Sequence, residues 1–438
     1  MGFGIDKQTL DELNLLGKFR NGSIYNLFNQ VKTRGGEQLL DKMFRLPLED
    51  DAQINERISI FQFFQKHHLA FPVDAQQVGL MREYLDQGGM KNILSVFAGT
   101  VIKRVLSGLT RDDRYKKNIQ GLQAVIAVMN KCFNFLDKMP PIPGPYAGRI
   151  KAMQAILADK RIERLRNVDI YQSLPMKALI YYNHLLKTKL QNEVEEVLLF
   201  IYELDVYISV STVAHDKGFV FATALPPGQN VLSVSDLRHP SVDKAIGNAL
   251  ELSENRNVLF LTGANMAGKS TLMKSVGISL YLAHIGFPVA ATAMKFSVRE
   301  GLYSSINVAD NISLGYSHFF AEVVRVKQAA LAASSGKRLL LMFDELFKGT
   351  NVKDAYDGTL AVTEGFSEYT NCLFIVSTHI IEVGEALRAR SNIKFGYMPT
   401  VMEGSRPRYT YKLQEGITED RQGMMIIRNE GILELIGN

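Results

Sequence analysis

Along the first half of the chain, apolar residues recur three and four positions apart. Ile24-Tyr25-Asn26-Leu27-Phe28 runs into Leu39-Leu40-Asp41-Lys42-Met43-Phe44, and Pro47 closes that run. Between Ala178 and Val213, the residues Leu185, Leu186, Val194, Val197, Leu198, Ile201, Leu204 and Ile208 share a helical period, with Glu193, Glu195 and Glu196 off the stripe. This spacing predicts a long amphipathic helix. The patch Pro140-Pro141-Ile142-Pro143-Gly144-Pro145 interrupts the helical pattern and reads as a rigid connection. From about residue 218 the texture changes, because Pro226-Pro227-Gly228 precedes short β-like runs and then an alternation of strands and helices. Val258–Thr262, Leu339–Phe343 and Cys372–Ser377 are continuous apolar runs, as expected of parallel strands covered on both faces. Helical patterns from Thr271 to His284 and from Phe319 to Ala333 lie between them. The expected architecture is a helical domain over residues 1–215 followed by an α/β domain over 216–438. That second domain holds a mostly parallel sheet covered by helices and ends in a short helical stretch.

The 438 residues, 46% hydrophobic and 22% charged, exclude a mostly disordered or collagen-like chain. No run approaches the ~18 uninterrupted apolar residues of a membrane-spanning helix, and the start lacks a basic-then-apolar signal pattern. A cytoplasmic location with no membrane association is expected. Cys132 and Cys372 stand far apart without a CxxC, which argues against a disulfide framework and a structural zinc. The net charge of +5 is unevenly spread, since residues 101–166 carry fourteen Lys/Arg against five Asp/Glu. Within that stretch Lys103, Arg104, Arg111, Arg114, Lys116 and Lys117 are candidate phosphate contacts, although a solvated helical face would carry the same charges.

The string Gly263-Ala264-Asn265-Met266-Ala267-Gly268-Lys269-Ser270, continued by Thr271, satisfies GxxxxGK[ST] between a predicted strand and a predicted helix. Its glycines let backbone N–H groups turn inward around a phosphate. Lys269 can reach the β/γ oxygens and the Ser270 hydroxyl can bind Mg²⁺, so ATP with Mg²⁺ is the expected ligand pair. Asp344-Glu345 closes a buried strand at its C-terminal edge, where open α/β sheets bind ligands. Asp344 can hold Mg²⁺, directly or through water, and Glu345 can orient and deprotonate an attacking water. His379, in Ser377-Thr378-His379, ends another such strand and could contact the γ-phosphate or that water, although a lone histidine is more often structural.

These motifs together resemble the MutS family of DNA mismatch-repair ATPases, relatives of the ABC ATPases. Thr262-Gly263-Ala264-Asn265-Met266-Ala267-Gly268-Lys269-Ser270-Thr271 is similar to the family's TGPNMGGKST, and Asp236-Leu237-Arg238-His239-Pro240 to its RHP element. Ala309 through Val323 aligns without gaps to ADDLASGRSTFMVEM, placing Ser317 and Glu322 on the matching Ser and Glu. In the first half, Gly22–Leu27, Lys32–Gly36, Pro47-Leu48 and Ile54–Arg57 look like the opening of the family's core helical domain, and Glu203–Val206 like the end of its lever helix. The resemblance implies an ABC-like ATPase domain behind a core/lever domain. It further implies a homodimer in which Ser317 and Glu322 complete the partner's nucleotide site, and ATP hydrolysis coupled to DNA, with other repair proteins as further partners.

Some features differ from the family pattern. An N-terminal mismatch-reading domain with its Phe-x-Glu wedge is not expected ahead of the core-like opening, and the stretch between Arg57 and Glu203 is short for a lever pair plus a clamp. Non-specific or structure-selective DNA binding is therefore expected rather than recognition of a single mismatch. Leu346 through Gly358 is three residues longer than the corresponding family loop. Ile246-Gly247-Asn248 offers no aromatic where the family stacks adenine, which implies weak base selectivity. A second reading has ATP acting as dimer glue in a DNA- or protein-binding scaffold with little turnover. A third, a small-molecule kinase, would need an acceptor pocket and an Arg-bearing lid.

Overall fold

A computed structural model describes residues 2–17, 22–88, 96, 99, 102, 114–169, 174–306, 318–403, 406–418 and 435–437. The chain divides into two compact units. One comprises Met1–Leu27, Met43–Ile58 and Val213–Asn438, the other Phe28–Lys42 and Ser59–Thr212. The expected single cut after residue 215 is thus corrected at the N-terminal side, where two segments group with the α/β unit. Long-range partners draw them there, and a local helical period cannot reveal these. The expected short C-terminal helical end falls mainly in 419–434, outside the described residues.

In the helical unit, the apolar stripe of the helix Gln191–Lys217 faces inward. Val194, Val197, Leu198, Ile201 and Leu204 are each at most 1% exposed. They share a core with Met81, Tyr84 and Leu85 of the helix Ala75–Asp86 and with Leu122, Val125, Ile126 and Met129 of the helix Arg114–Lys138. By length and composition Gln191–Lys217 could cross a membrane, yet 72% of its most apolar 18-residue stretch is buried, which suits a core helix. The same helix carries Asp205, 1% exposed, whose carboxylate accepts from the N–H of Lys32 and from the N–H and hydroxyl of Thr33. A buried carboxylate is stable there because it satisfies backbone donors at the start of the helix Arg34–Arg45.

The other unit is α/β. Among the described residues its strands are β1 (Gly4–Ile5), β2 (Thr223–Leu225), β3 (Leu232–Leu237), β4 (Asn248–Leu252), β5 (Val258–Thr262), β6 (Ala293–Ser297), β7 (Gly301–Ser305), β8 (Leu339–Asp344), β9 (Leu373–Ser377), β10 (Ile393–Tyr397), β11 (Thr400–Glu403), β12 (Arg406–Tyr409) and β13 (Gln414–Glu415). Seven of them form one sheet in the order β1-β7-β8-β9-β5-β10-β13, parallel throughout except for the β10/β13 edge. The apolar runs β5 and β9 are buried along their whole length and β8 along all but its last residue, as continuous hydrophobicity requires of a sheet covered on both faces. A four-stranded sheet, β2-β6-β3-β4, and the antiparallel pair β11/β12 complete the unit.

The N-terminal segment is built into this unit. β1 pairs in parallel with β7, and Asp6 and Thr9 bond the Arg325 guanidinium. Glu12 accepts from the Ser304 hydroxyl and the Ile306 N–H. Further along, the Tyr281 hydroxyl donates to the Phe44 carbonyl at 2.6 Å. His284 is fully buried. Its Nδ1–H donates to the Leu48 carbonyl at 2.8 Å, and its Nε2 accepts the Arg299 N–H at 3.3 Å.

Candidate functional site

Strand register assembles the site. Asp344, the last residue of β8, lies opposite Ser377, the last of β9, and Ser377 lies opposite Leu261, one residue before the end of β5. The connections that leave these three strands therefore emerge side by side at the C-terminal edge of the sheet, where ligands bind in open α/β folds. They are the glycine-rich loop, the Asp344-Glu345 turn and the Ser377-Thr378-His379 turn, with Gly268 76 residues before Asp344 and Glu345 32 residues before Ser377.

The loop Gly263–Gly268 depends on backbone conformations that favour glycine. Gly263 has φ 134° and Gly268 φ 104°, and a Cβ on Gly263 would stand 3.2 Å from the Met398 carbonyl. Gly268 leads directly into the helix Lys269–His284, so the loop presents backbone N–H groups at a helix N-terminus, a favourable place for phosphate. Ala267 is buried, whereas Asn265, Met266 and Thr271 are exposed and Ala264 is partly so. Lys269 is buried, and its Nζ donates to the carbonyls of Gly263 at 2.8 Å and Ala264 at 3.1 Å. Burial lowers the pKa of this ammonium, against the pull of Asp344 and Glu345. A phosphate oxygen would supply the counter-charge that the two carbonyls do not.

The Ser270 hydroxyl donates to Asp344 Oδ2, while Asp344 Oδ1 is buried with no partner among the described residues. A buried carboxylate oxygen without a partner is costly, and beside a serine hydroxyl it makes an oxygen donor set that fits a hard divalent cation. Glu345 follows at φ 54°, anchored through its N–H to the Ser377 carbonyl at 2.8 Å. A non-glycine residue in this left-handed region costs on the order of 1–3 kcal/mol, a strain commonly held at working sites. The Glu345 carboxylate lies 3.9 Å from His379 Nδ1 and 3.6 Å from Lys348 Nζ. His379 is itself half-exposed.

Beside the loop, a cavity of about 360 Å³ is lined by Leu237, His239, Asn248, Thr271, Met398 and Tyr411 among others. Gly268 forms part of its wall, so the cavity adjoins the loop. The Tyr411 ring comes within 3.1 Å of where a Gly268 Cβ would be. The Asn248 amide fixes this tyrosine, donating to the Tyr411 carbonyl at 3.0 Å and accepting from the Leu413 N–H at 2.7 Å. Ile246-Gly247-Asn248 lacks an aromatic, as read from the sequence. An aromatic nevertheless lines the cavity, because Tyr411 reaches it from a segment 163 residues past Asn248. Only the sheet order brings the two together, so no local signal announced Tyr411. Burial, with a contribution from Lys274, lowers the pKa of His239 in the cavity wall.

The remaining candidates divide. Glu322 is 2% exposed, while its helix neighbours Phe320 and Val323 are exposed. Ser317 lies outside the described residues, as do Lys103, Arg104 and Arg111. Arg114 opens the helix Arg114–Lys138, with its side chain outside the description, and Lys116 and Lys117 are exposed on the first turn of that helix.

Residues 259–436 match the family model described as MutS domain V. The chain is 26% identical over 341 residues to the DNA mismatch repair protein MutS of Bacillus cytotoxicus, an alignment covering 72% of this chain and 36% of that protein. It is 23% identical over 506 residues to the DNA mismatch repair protein MutS of Lactococcus lactis subsp. cremoris, covering 94% of this chain and 60% of that protein. The chain thus spans less than two thirds of the length of these relatives.

Proposed function

This chain belongs to the MutS family, and from that premise we propose that it is an ATPase whose nucleotide state is coupled to DNA in mismatch repair or a related repair or recombination process. The observation that carries the reading is the convergence of Lys269, Ser270, Asp344, Glu345 and His379 at one sheet edge. In this reading Gly263–Thr271 wraps the phosphates, and Lys269 leaves its two carbonyls for the β/γ oxygens. Ser270 and Asp344 hold Mg²⁺, which when bound neutralises charge on the phosphates. Glu345 takes a proton from the attacking water as the bond to the γ-phosphorus forms and the bond to the ADP oxygen breaks, and His379 orients that water or the γ-phosphate. The Tyr411 cavity receives the adenine.

The finer parts rest on the family resemblance. They are a homodimer with Ser317 completing the partner's site, a helical core/lever domain that moves with nucleotide state, DNA contacts through the basic stretch containing Lys116 and Lys117, and further repair proteins as partners. A second reading, an ATP-gated dimeric scaffold with little turnover, is favoured by the Lys348 ammonium 3.6 Å from the proposed base. Turnover decides between them. Glu345→Ala should keep ATP binding and lose ~10²-fold or more in rate, whereas Lys269→Ala should lose affinity. If both variants bind and hydrolyse ATP like the parent, the assigned site is wrong.

A further inference from the structure

Glu345 does not hold its own backbone conformation. It is the first residue of a turn in which a second bulky residue, Phe347, is also left-handed, at φ 62°. Two non-glycine residues within three positions adopt a region that L side chains avoid, so the surroundings must impose it. One end of the turn is tied by the Glu345 N–H to the Ser377 carbonyl. Further along, the buried Thr359 hydroxyl donates to the Leu346 carbonyl at 3.2 Å.

The Phe347 ring, 7% exposed, supplies a third constraint. On one side it meets Phe319 edge to face, with ring centroids 6.1 Å apart. On the other it lies against Gly358, in the interior of the helix Val352–Ser367, where an added Cβ would stand 2.9 Å from Phe347 Cδ2. A mid-helix glycine forms helix less well than alanine, so the gap left by its missing side chain is the reason for a glycine there. A Cβ added to Gly349 would likewise stand 3.2 Å from the Phe319 nitrogen.

We infer that Phe347, clamped between Phe319 and Gly358, is a positioning residue that holds the Glu345 carboxylate at the strand end. Phe347 acts through the backbone of the turn. Because the phosphate loop and the Tyr411 cavity lie on other segments, its disturbance should alter the rate of hydrolysis and spare ATP affinity. This rests on the ATPase reading.

A double-mutant cycle of parent, Gly358→Ala, Phe347→Gly and the combined variant, with ATP Kd and kcat measured for each, tests it. Gly358→Ala should push the ring and lower kcat about tenfold with ATP Kd nearly unchanged. In the Phe347→Gly background, which has no ring to push, the same alanine should cost nothing. ATP binding and a cooperative thermal transition show in each case that the variant is folded. Should Phe347→Gly not fold, Phe347→Leu takes its place, and the alanine penalty should then shrink. An equal penalty in both backgrounds, no penalty in the parent, or a penalty in Kd rather than kcat would overturn the positioning role. Glu345→Ala separates the two levels. If it abolishes parent turnover while the cycle shows no coupling, only the Phe347 inference falls. If Glu345→Ala turns over like the parent, the ATPase reading falls and takes the inference with it.

Discussion

The Ser270 hydroxyl, in the first turn of the helix Lys269–His284, donates to the Asp344 carboxylate at the end of β8, across 74 residues of sequence. That contact orients Asp344 so that Oδ2 is engaged and Oδ1 is left for a cation. Asp344→Asn should therefore remove most of the Mg²⁺ enhancement of ATP binding and lower turnover by at least ~10²-fold. Nucleotide titrations with and without Mg²⁺ measure this. Equal Mg²⁺ enhancement in parent and variant would remove Asp344 from the metal site.

In the ATPase reading, Lys348 bears on the rate of hydrolysis without DNA. Its ammonium sits beside the Glu345 carboxylate, and both groups are partly exposed, 49% and 19%. An ion pair with that exposure is worth at most about 1 kcal/mol, so Lys348→Met should raise DNA-free turnover by up to about fivefold. A drop in turnover would instead give Lys348 a role toward the phosphates.

Tyr411 is expected to set nucleotide affinity. Stacking of a base on an aromatic side chain contributes about 1–3 kcal/mol, so Tyr411→Ala should raise the ATP Kd about tenfold, with Tyr411→Phe close to the parent. Competition between ATP and GTP in the same assay measures base preference, which should weaken in the alanine variant. If Tyr411→Ala binds ATP like the parent, the base lies elsewhere.

His284 should make the α/β unit acid-sensitive. Burial lowers its pKa to about 4 from the usual 6.5; the Leu48 carbonyl opposes the shift and Arg299 adds to it. Because the folded value is depressed, the unfolded chain takes up a proton first as pH falls. The contribution is fully present above about 6.5 and is lost progressively down to about 4. Chemical unfolding between pH 7.5 and 4.5 should show this loss, and His284→Gln should flatten it. A parent and a variant with the same pH dependence would remove His284 as the cause.

The parts of this site legible in the sequence were those written in consecutive residues. GxxxxGKS between an apolar run and a helical pattern, and Asp344-Glu345 at the end of another run, each carry their own context. What could not be read depended on which strands lie side by side. Tyr411 reaches the cavity beside the glycine-rich loop from a segment that follows β10, the neighbour of β5. The clamp on Phe347 exists because the helix Val352–Ser367 and the start of the helix His318–Ser334 meet the same turn. The helical period of the first half was visible in the stripe Val194 to Leu204, yet periodicity says nothing about partners. It therefore gave no sign that Asp6, Thr9 and Glu12 bind Arg325 and Ser304.

The pairing of Gly4 with Gly301 also imposes an order on biosynthesis. The strand β1 leaves the ribosome nearly three hundred residues before the edge it joins, a delay of roughly 15–60 s at about 5–20 residues per second. During that interval neither the Asp6 carboxylate nor the Gly4–Ile5 backbone has its eventual partners. Until β1 arrives, β7 is an open edge on a sheet of very apolar strands, the kind of template on which nascent chains pair with one another. Conditions that slow the meeting of the two segments should therefore lower the soluble yield of this protein before they alter the stability of the finished fold.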